Sequence, residues 1–350
     1  MAGCRSSECC RRHPRACRRA GGQAAVSSVA ISLQGPSHDD GDSTVASARL
    51  RAVASPAGDV VVSHTTGGAH MPFARNWWRH LQRAGVNNFA LIATDESAFT
   101  TLEDELAGHG VRCPQSIVGR RDERTTADYG RGHGAGYRSA GWTRLMFAVP
   151  AMVRWVLLQG VNVLWMDTDV VVLSDPFPAV FAELAASDTT APRRLATART
   201  PASSAVLLAS VDGRVPDEDL HECRRQYTTS VRWGRSSGGF KLCGGLFYIR
   251  RGDAADAFLL DWERRLRAPG AGAKNQPHYN DALRAAPQLA VRLLPCALFP
   301  NGYRYASDAW RRAQRQRPIA VHNNWLKGST AKVERFKLWG MWLEGNSSRR

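Results

Sequence analysis

From residue 58 onward, short apolar runs alternate with helix-patterned stretches, and this alternation limits the possible folds more than any other feature. "GDVVVSHTT" (58–66) is a β-branched run that ends in small polar residues, so it reads as a strand. "MPFARNWWRHLQRAG" (71–85) follows. Pro72 suits a first helical position, Phe73, Trp77 and Leu81 recur at a spacing of four, and Gly85 suits the stop. "NFALIATD" (88–95) reads as a second strand and "SAFTTLEDELAGHG" (97–110) as a second helix with Ser97 as its cap. Parallel neighbours need crossover connections, so this order predicts a mostly parallel sheet with helices on both faces, an α/β fold.

Further along, Trp142, Leu145, Met146, Val149, Met152, Val153, Val156 and Leu157 lie at steps of three and four, the strongest helical pattern in the chain. Pro150 is expected to kink that helix and Gly160 to end it. Val163–Met166 is short and apolar, which suits a central buried strand. Residues 119–138 read as a Gly/Arg-rich loop and 187–240 as an insertion. "CGGLFYIR" (243–250) returns to strand character, and Asp253 can cap a helix whose inner face is Phe258, Leu259, Trp262 and Leu266. "PIAVHNNW" (318–325) is a last strand and turn, before a terminal helix stopped near Gly340. Residues 1–57 hold few large apolar groups and are expected to be disordered, leaving one domain over 58–345.

The net charge is +16, of which +5 falls in residues 1–20. A basic body suits anionic partners. The basic residues are dispersed and no recognition helix, zinc finger or aromatic RNA-binding signature is present, which argues against a nucleic-acid partner. Of eight cysteines, Cys4, Cys9, Cys10 and Cys17 crowd the basic tail at irregular spacing. Cys223 and Cys243 suit either a disulfide, in a secretory chain, or two buried thiols. No apolar run reaches membrane-spanning length. The sequon Asn346-Ser347-Ser348 is a weak sign of a secretory route.

In "VLWMDTDVVVLSDPF" (163–177), Asp167 and Asp169 close a buried strand one residue apart. Ligands of open parallel sheets bind beyond the carboxyl ends of the strands. Two carboxylates so close repel unless a cation sits beside them, and hard oxygen ligands suit Mn²⁺ or Mg²⁺ with positions left for phosphates. A bare pair would equally cap turns or bind an arginine. Asp175 precedes Pro176 and reads as a turn residue. A metal-dependent phosphohydrolase would need a nucleophilic Asp after the first strand, which ends "SHTT" instead.

"GVNVLWMDTDVVVLSDPF" (160–177) resembles the plant and algal nucleotide-diphospho-sugar transferases, which include rhamnogalacturonan xylosyltransferases and extensin arabinosyltransferases. The likeness extends over residues 59–343, through "FARNWWRHLQRAGVNNFALIATD", "CGGLFYIR" and the closing "HNNWLKGSTAKVERFKLWGMW". It implies a GT-A-type single domain with a Rossmann-like nucleotide half, a Mn²⁺ or Mg²⁺ ion, a nucleotide-sugar donor such as a UDP-sugar, and a glycan or glycoprotein acceptor. By the same resemblance, Asp167, Asp169 and His322 hold the metal, although His322 alone would read as a hydrogen-bonded strand-end histidine. Gly328 lets backbone approach phosphate, and Lys332, otherwise a solvated helix face, neutralises the leaving group. Thr65, Thr66, Gly67 and Asp95 line the nucleotide pocket unless they serve only the turns, and Arg144 adds positive charge. Gln276 lies near the anomeric carbon. The family's Asp-Gln pair is here Asn275-Gln276, with Asp281 as a possible substitute, and Gly244 stands where Asn or Ser is common. The Asn275 departure keeps open an inactive, nucleotide-binding relative. The resemblance also implies the Golgi lumen, although this sequence shows no signal anchor.

Overall fold

A computed structural model describes residues 40–118, 140–185, 206–212, 241–268 and 274–344, all within one unit, 39–350. The alternation seen in the sequence is realised as β1 (Asp59–Thr65), α2 (Met71–Arg83), β2 (Phe89–Ala93), α3 (Glu96–Glu105) and β3 (Gly110–Arg112), preceded by α1 (Asp40–Val53). A short α4 (Gln115–Val118) and the long α5 (Ala140–Leu158) lead into β4 (Asn162–Met166) and β5 (Val170–Val172). Then come α6 (Phe177–Ala185), β6 (Val206–Asp212), β7 (Lys241–Ile249), α7 (Asp253–Arg267), α8 (Asn275–Arg284) and β8 (Ala290–Leu293). Two short helices, α9 (Gly302–Ala306) and α10 (Asp308–Ala313), precede β9 (Ala320–His322) and α11 (Ser329–Leu338).

The described strands form a seven-stranded sheet in the order β3-β2-β1-β4-β7-β6-β8. Neighbours from β3 to β4 are parallel, β7 runs against both β4 and β6, and β8 is parallel to β6. Only β7 is reversed, so the carboxyl ends of β1, β2, β4 and β6 share one edge with the start of β7. Side chains alternate across β1: Val60 and Val62 pack with α5, α7 and α8, while Val61 packs with α2 and α3. Burial of each such side chain is worth about 1.5–3 kcal/mol, so helices are required on both faces.

Helix α2 keeps Phe73, Trp77 and Leu81 buried, as their spacing predicts. It ends where Gly85 turns to φ 74° and Val86 N–H donates to Leu81 O, a conformation only glycine adopts at little cost. Helix α5 continues through Pro150. Four expectations need correction. Residues 40–53 are helical with Leu50 fully buried, not disordered, because Ala46 and Leu50 complete the apolar layer outside β2 and β3. Asp95, not Ser97, caps α3, its carboxylate accepting from Ala98 N–H at 2.8 Å. Gly252 holds the capping position of α7, and Asp253 is its first residue. Residues 206–212 are not part of an insertion: they form β6, inside the sheet between β7 and β8. The basic cysteine-rich segment, the 119–138 loop and the rest of 187–240 lie outside the described residues. Among those described, no helix is long and apolar enough to cross a membrane.

Candidate metal and donor site

Two strand pairings meet at the Asp-Thr-Asp stretch. Antiparallel pairing of β4 with β7 sets Met166 against Leu246, and Asp167 N–H then donates to Gly245 O at 2.8 Å. Past the turn, β5 leaves the main sheet and pairs with β9, setting Val170 against His322. One aspartate therefore sits beside β7 and the other beside β9. Their carboxylates and His322 place one ligand atom each within 4.8 Å of one another. His322 Nε2 is 3.2 Å from Asp169 Oδ1 and 3.9 Å from Asp167 Oδ2.

The approach demands a glycine opposite. A Cβ on Gly245 would lie 2.2 Å from Asp167 Oδ2 and 2.9 Å from His322 Cε1. Gly244, the position that departs from the family pattern, has only ordinary contacts with Tyr279 and Trp262. Behind His322, Cys243 Sγ lies 3.4 Å from Nδ1 and fixes the ring with Nε2 toward the carboxylates. Cys243 is thus a free, buried thiol, which sets aside the Cys223–Cys243 disulfide. Cys223 lies outside the described residues.

The electrostatics are those of two close carboxylates faced by an imidazole and an ammonium. Asp167 is pushed up to about 6 by desolvation and by the charge of Asp169. Asp169 is 7% exposed, and burial would raise its pKa, but Lys332 and His322 outweigh that and hold it below the usual carboxylate range. Burial disfavours a charged His322, yet Cys243 and Asp169 together raise it well above the ordinary imidazole value. Lys332 Nζ donates to Asp169 Oδ2 at 2.5 Å. His322 and the Lys332 ammonium thus both face the pair of carboxylates, of which Asp169 is buried and Asp167 half-buried. Two hard oxygens, one imidazole nitrogen and an opening at Asp167, whose side chain is 34% exposed, fit a divalent ion with positions left for phosphate oxygens.

Residues 84–336 match the model of the family described as nucleotide-diphospho-sugar transferase. The chain belongs to the nucleotide-diphospho-sugar transferase family. Among its relatives is "UDP-D-xylose:L-fucose alpha-1,3-D-xylosyltransferase" of Arabidopsis thaliana, 25% identical over 282 residues, which are 78% of this chain and 66% of that protein. Against that relative, the chain spans slightly less than two thirds of the other's length. Another is "UDP-galactose:fucoside alpha-3-galactosyltransferase" of Dictyostelium discoideum, 23% identical over 225 residues, covering 59% of this chain and 29% of that protein. Mouse xyloside xylosyltransferase 1 overlays with a TM-score of 0.43 at 13% identity, covering 77% of this chain and 99% of that structure.

Within this family member, most of the remaining site residues from the sequence fall into three groups. Gly328, at φ 85°, opens α11 with free space where a side chain would stand, and Lys332 lies one turn on. Asn323 secures that helix, donating to Lys332 O at 2.9 Å while its own N–H donates to Asp169 O at 2.8 Å. The second group is the rim of β1 and β2. Gly67 N–H donates to Asp95 Oδ2 at 3.0 Å, and Thr65 Oγ1 donates to Thr66 O at 3.1 Å, so these groups shape the turn. His70, in the same turn, is lowered by burial and by the charge of Lys332 on α11. The third group is α8. Gln276 Nε2 donates to Asp212 Oδ2, whereas Asp281 lies about 140° around the helix and pairs with Arg284 at the surface. Arg144 is exposed near the start of α5. Asp175 accepts from Phe177 N–H at 2.9 Å and starts α6, the turn role its Pro neighbour predicts.

Three residues escaped the sequence reading. Asp212, at the carboxyl end of β6, accepts from Gln276, Asn324 and Trp325. Gly245 was visible only as a strand residue, and Cys243 only as a strand residue and a candidate disulfide partner or buried thiol. A signal for Asp212 existed, since "AVLLASVD" (205–212) is an apolar run that ends on a carboxylate.

Proposed function

We propose that this chain is a divalent-metal-dependent glycosyltransferase that moves a sugar from a UDP-sugar to a glycan or glycoprotein acceptor with retention at the anomeric carbon. The observation that carries the reading is the cluster of Asp167, Asp169 and His322, with Lys332 against it, at the carboxyl edge of a mostly parallel sheet. Asp167, Asp169 and His322 would hold Mn²⁺ or Mg²⁺, which supplies Lewis-acid stabilisation of the diphosphate leaving group. Lys332 adds a fixed ammonium, and the glycine opening of α11 leaves backbone N–H groups available to phosphate. The rim formed by Thr65, Thr66, Gly67 and Asp95 receives the nucleoside. Gln276, oriented by Asp212, stands on the sugar side.

The acceptor oxygen bonds to the anomeric carbon as the bond to the β-phosphate oxygen breaks. The electron pair leaves with UDP, and the acceptor proton passes to a diphosphate oxygen. Attack from the leaving-group side retains configuration without a strong protein base. A nucleotide-binding protein without turnover was motivated by Asn275. That side chain is spent on packing: it accepts from Trp262 Nε1 at 2.7 Å and donates to Met146 O at 2.8 Å. A Golgi-lumen location belongs to the same proposal and rests on family likeness.

The test is UDP release from UDP-xylose and UDP-galactose with a fucoside acceptor, in Mn²⁺ and in EDTA. Asp169→Asn is expected to lose at least about 100-fold of metal-dependent transfer. Full activity in that variant contradicts the assignment.

A further inference from the structure

Trp325 follows the metal-site strand β9 by three residues and is unusual in two ways. Among the described residues it alone, apart from glycines, has a positive φ, 60°. Its side chain is also 47% exposed. A bulky residue held in the left-handed region and facing water costs free energy on both counts, and such strain gathers at functional sites. Tyr303, 43% exposed, lies beside it with ring centroids 6.0 Å apart, tilted at 55°.

The two rings are fixed from behind. Trp325 Nε1 donates to Asp212 Oδ1 at 2.7 Å, and Asn324 Nδ2 donates to the same oxygen at 3.1 Å. Asn324 Oδ1 accepts from Gly302 N–H at 2.8 Å, immediately before Tyr303. A Cβ on Gly302 would come within 2.3 Å of Asn324 O, so the two segments interlock. The other Asp212 oxygen holds Gln276. One carboxylate thereby sets both the indole and the amide on the sugar side.

Position selects the occupant. Three residues span at most about 11 Å, so Trp325 lies within that distance of His322 along the chain. Asp212 ends β6, which is three strand places from β1 in the sheet. At about 4.8 Å per strand, this puts it about 14 Å from the nucleoside rim. A donor with its nucleoside over β1 and β2 and its diphosphate at Asp167 and Asp169 directs its sugar toward Asp212. The space beyond suits a second saccharide. A pyranose has a face of C–H bonds and a rim of hydroxyls, which matches an aromatic face with a carboxylate and an amide at its edge.

On the basis of the transferase reading, we propose that Trp325 and Tyr303 form the platform on which the ring of the acceptor saccharide stacks, with Asp212 as the residue that positions it. The test is saturation-transfer NMR on the full chain with Mg²⁺ and UDP, using methyl glycosides of fucose, galactose and xylose as probes. In the wild type, saturation is expected on the ring C–H protons of at least one glycoside. Trp325→Ala should weaken its binding at least about tenfold, Tyr303→Ala should weaken it less, and Trp325→Phe should keep part of it. Calorimetry of Mg²⁺ and UDP on the same samples should match the wild type, which shows that the variants fold. The proposal is overturned if no glycoside binds the wild type, if Trp325→Ala binds as well as wild type, or if that variant loses UDP affinity alone. Failure of the wild type to bind UDP would count against the donor reading, while glycoside saturation would still decide the platform.

Discussion

At the scale of single residues, the cluster of Asp167, Asp169 and His322 depends on a missing side chain at Gly245 as much as on its own carboxylates and imidazole. The structure brings Asp167, Asp169, His322 and Lys332 together; the two aspartates stood out in their local run, whereas His322 and Lys332 were singled out only through the family resemblance. Gly245 was not, because its role arises from antiparallel pairing of β7 with β4, which no local pattern encodes. The atoms that a new Cβ would meet are the end of Asp167 and the edge of His322, not backbone. Gly245→Ala should therefore fold, with a melting temperature within a few degrees of wild type. It should nevertheless weaken metal-dependent UDP binding by about 10–100-fold, the usual cost of disturbing a metal-site neighbour. Calorimetry beside a thermal melt checks both halves. Unchanged affinity would mean that Asp167 is not a ligand.

At the scale of elements, strands with strong β-branched runs were readable, as was the short β9 within 318–325, whereas β3, β5 and β8 span only three or four residues and offer too little pattern. Helix α1 was missed because its sequence is polar and weakly amphipathic, and its place is decided by the apolar layer it closes. Asp95 outcompeted Ser97 as a cap because a carboxylate at that point serves both Ala98 and Gly67. The Asn275 departure is likewise explained between elements. Its amide joins α8 to Trp262 of α7 and Met146 of α5, and because the indole can only donate and the carbonyl only accept, the amide orientation is fixed. Asn275→Asp keeps the first bond, loses the second and sets a carboxylate beside a carbonyl. It should cost about 1–3 kcal/mol in urea unfolding without raising transfer. A variant as stable as wild type and more active would return this position to the chemistry.

At the scale of the whole molecule, the sheet divides the labour. The parallel half, β3-β2-β1-β4, carries the rim proposed to receive the nucleoside, while reversed β7 with β6 carries Gly245, Cys243 and Asp212. The Asp167, Asp169 and His322 cluster lies where the halves meet and where β5 and β9 form a second small sheet. The α/β class was legible from the order of elements, but the half built on β6, β7 and β8 was not, since β6 is separated from β7 by residues outside the described set. The central claim is that Asp167, Asp169 and His322 hold a divalent ion that carries the donor diphosphate. The most direct test is calorimetry of UDP binding to the full chain with Mn²⁺ and with EDTA. The account predicts binding that requires Mn²⁺ and is lost in Asp169→Asn. Equal UDP affinity with and without metal, retained in that variant, would contradict it.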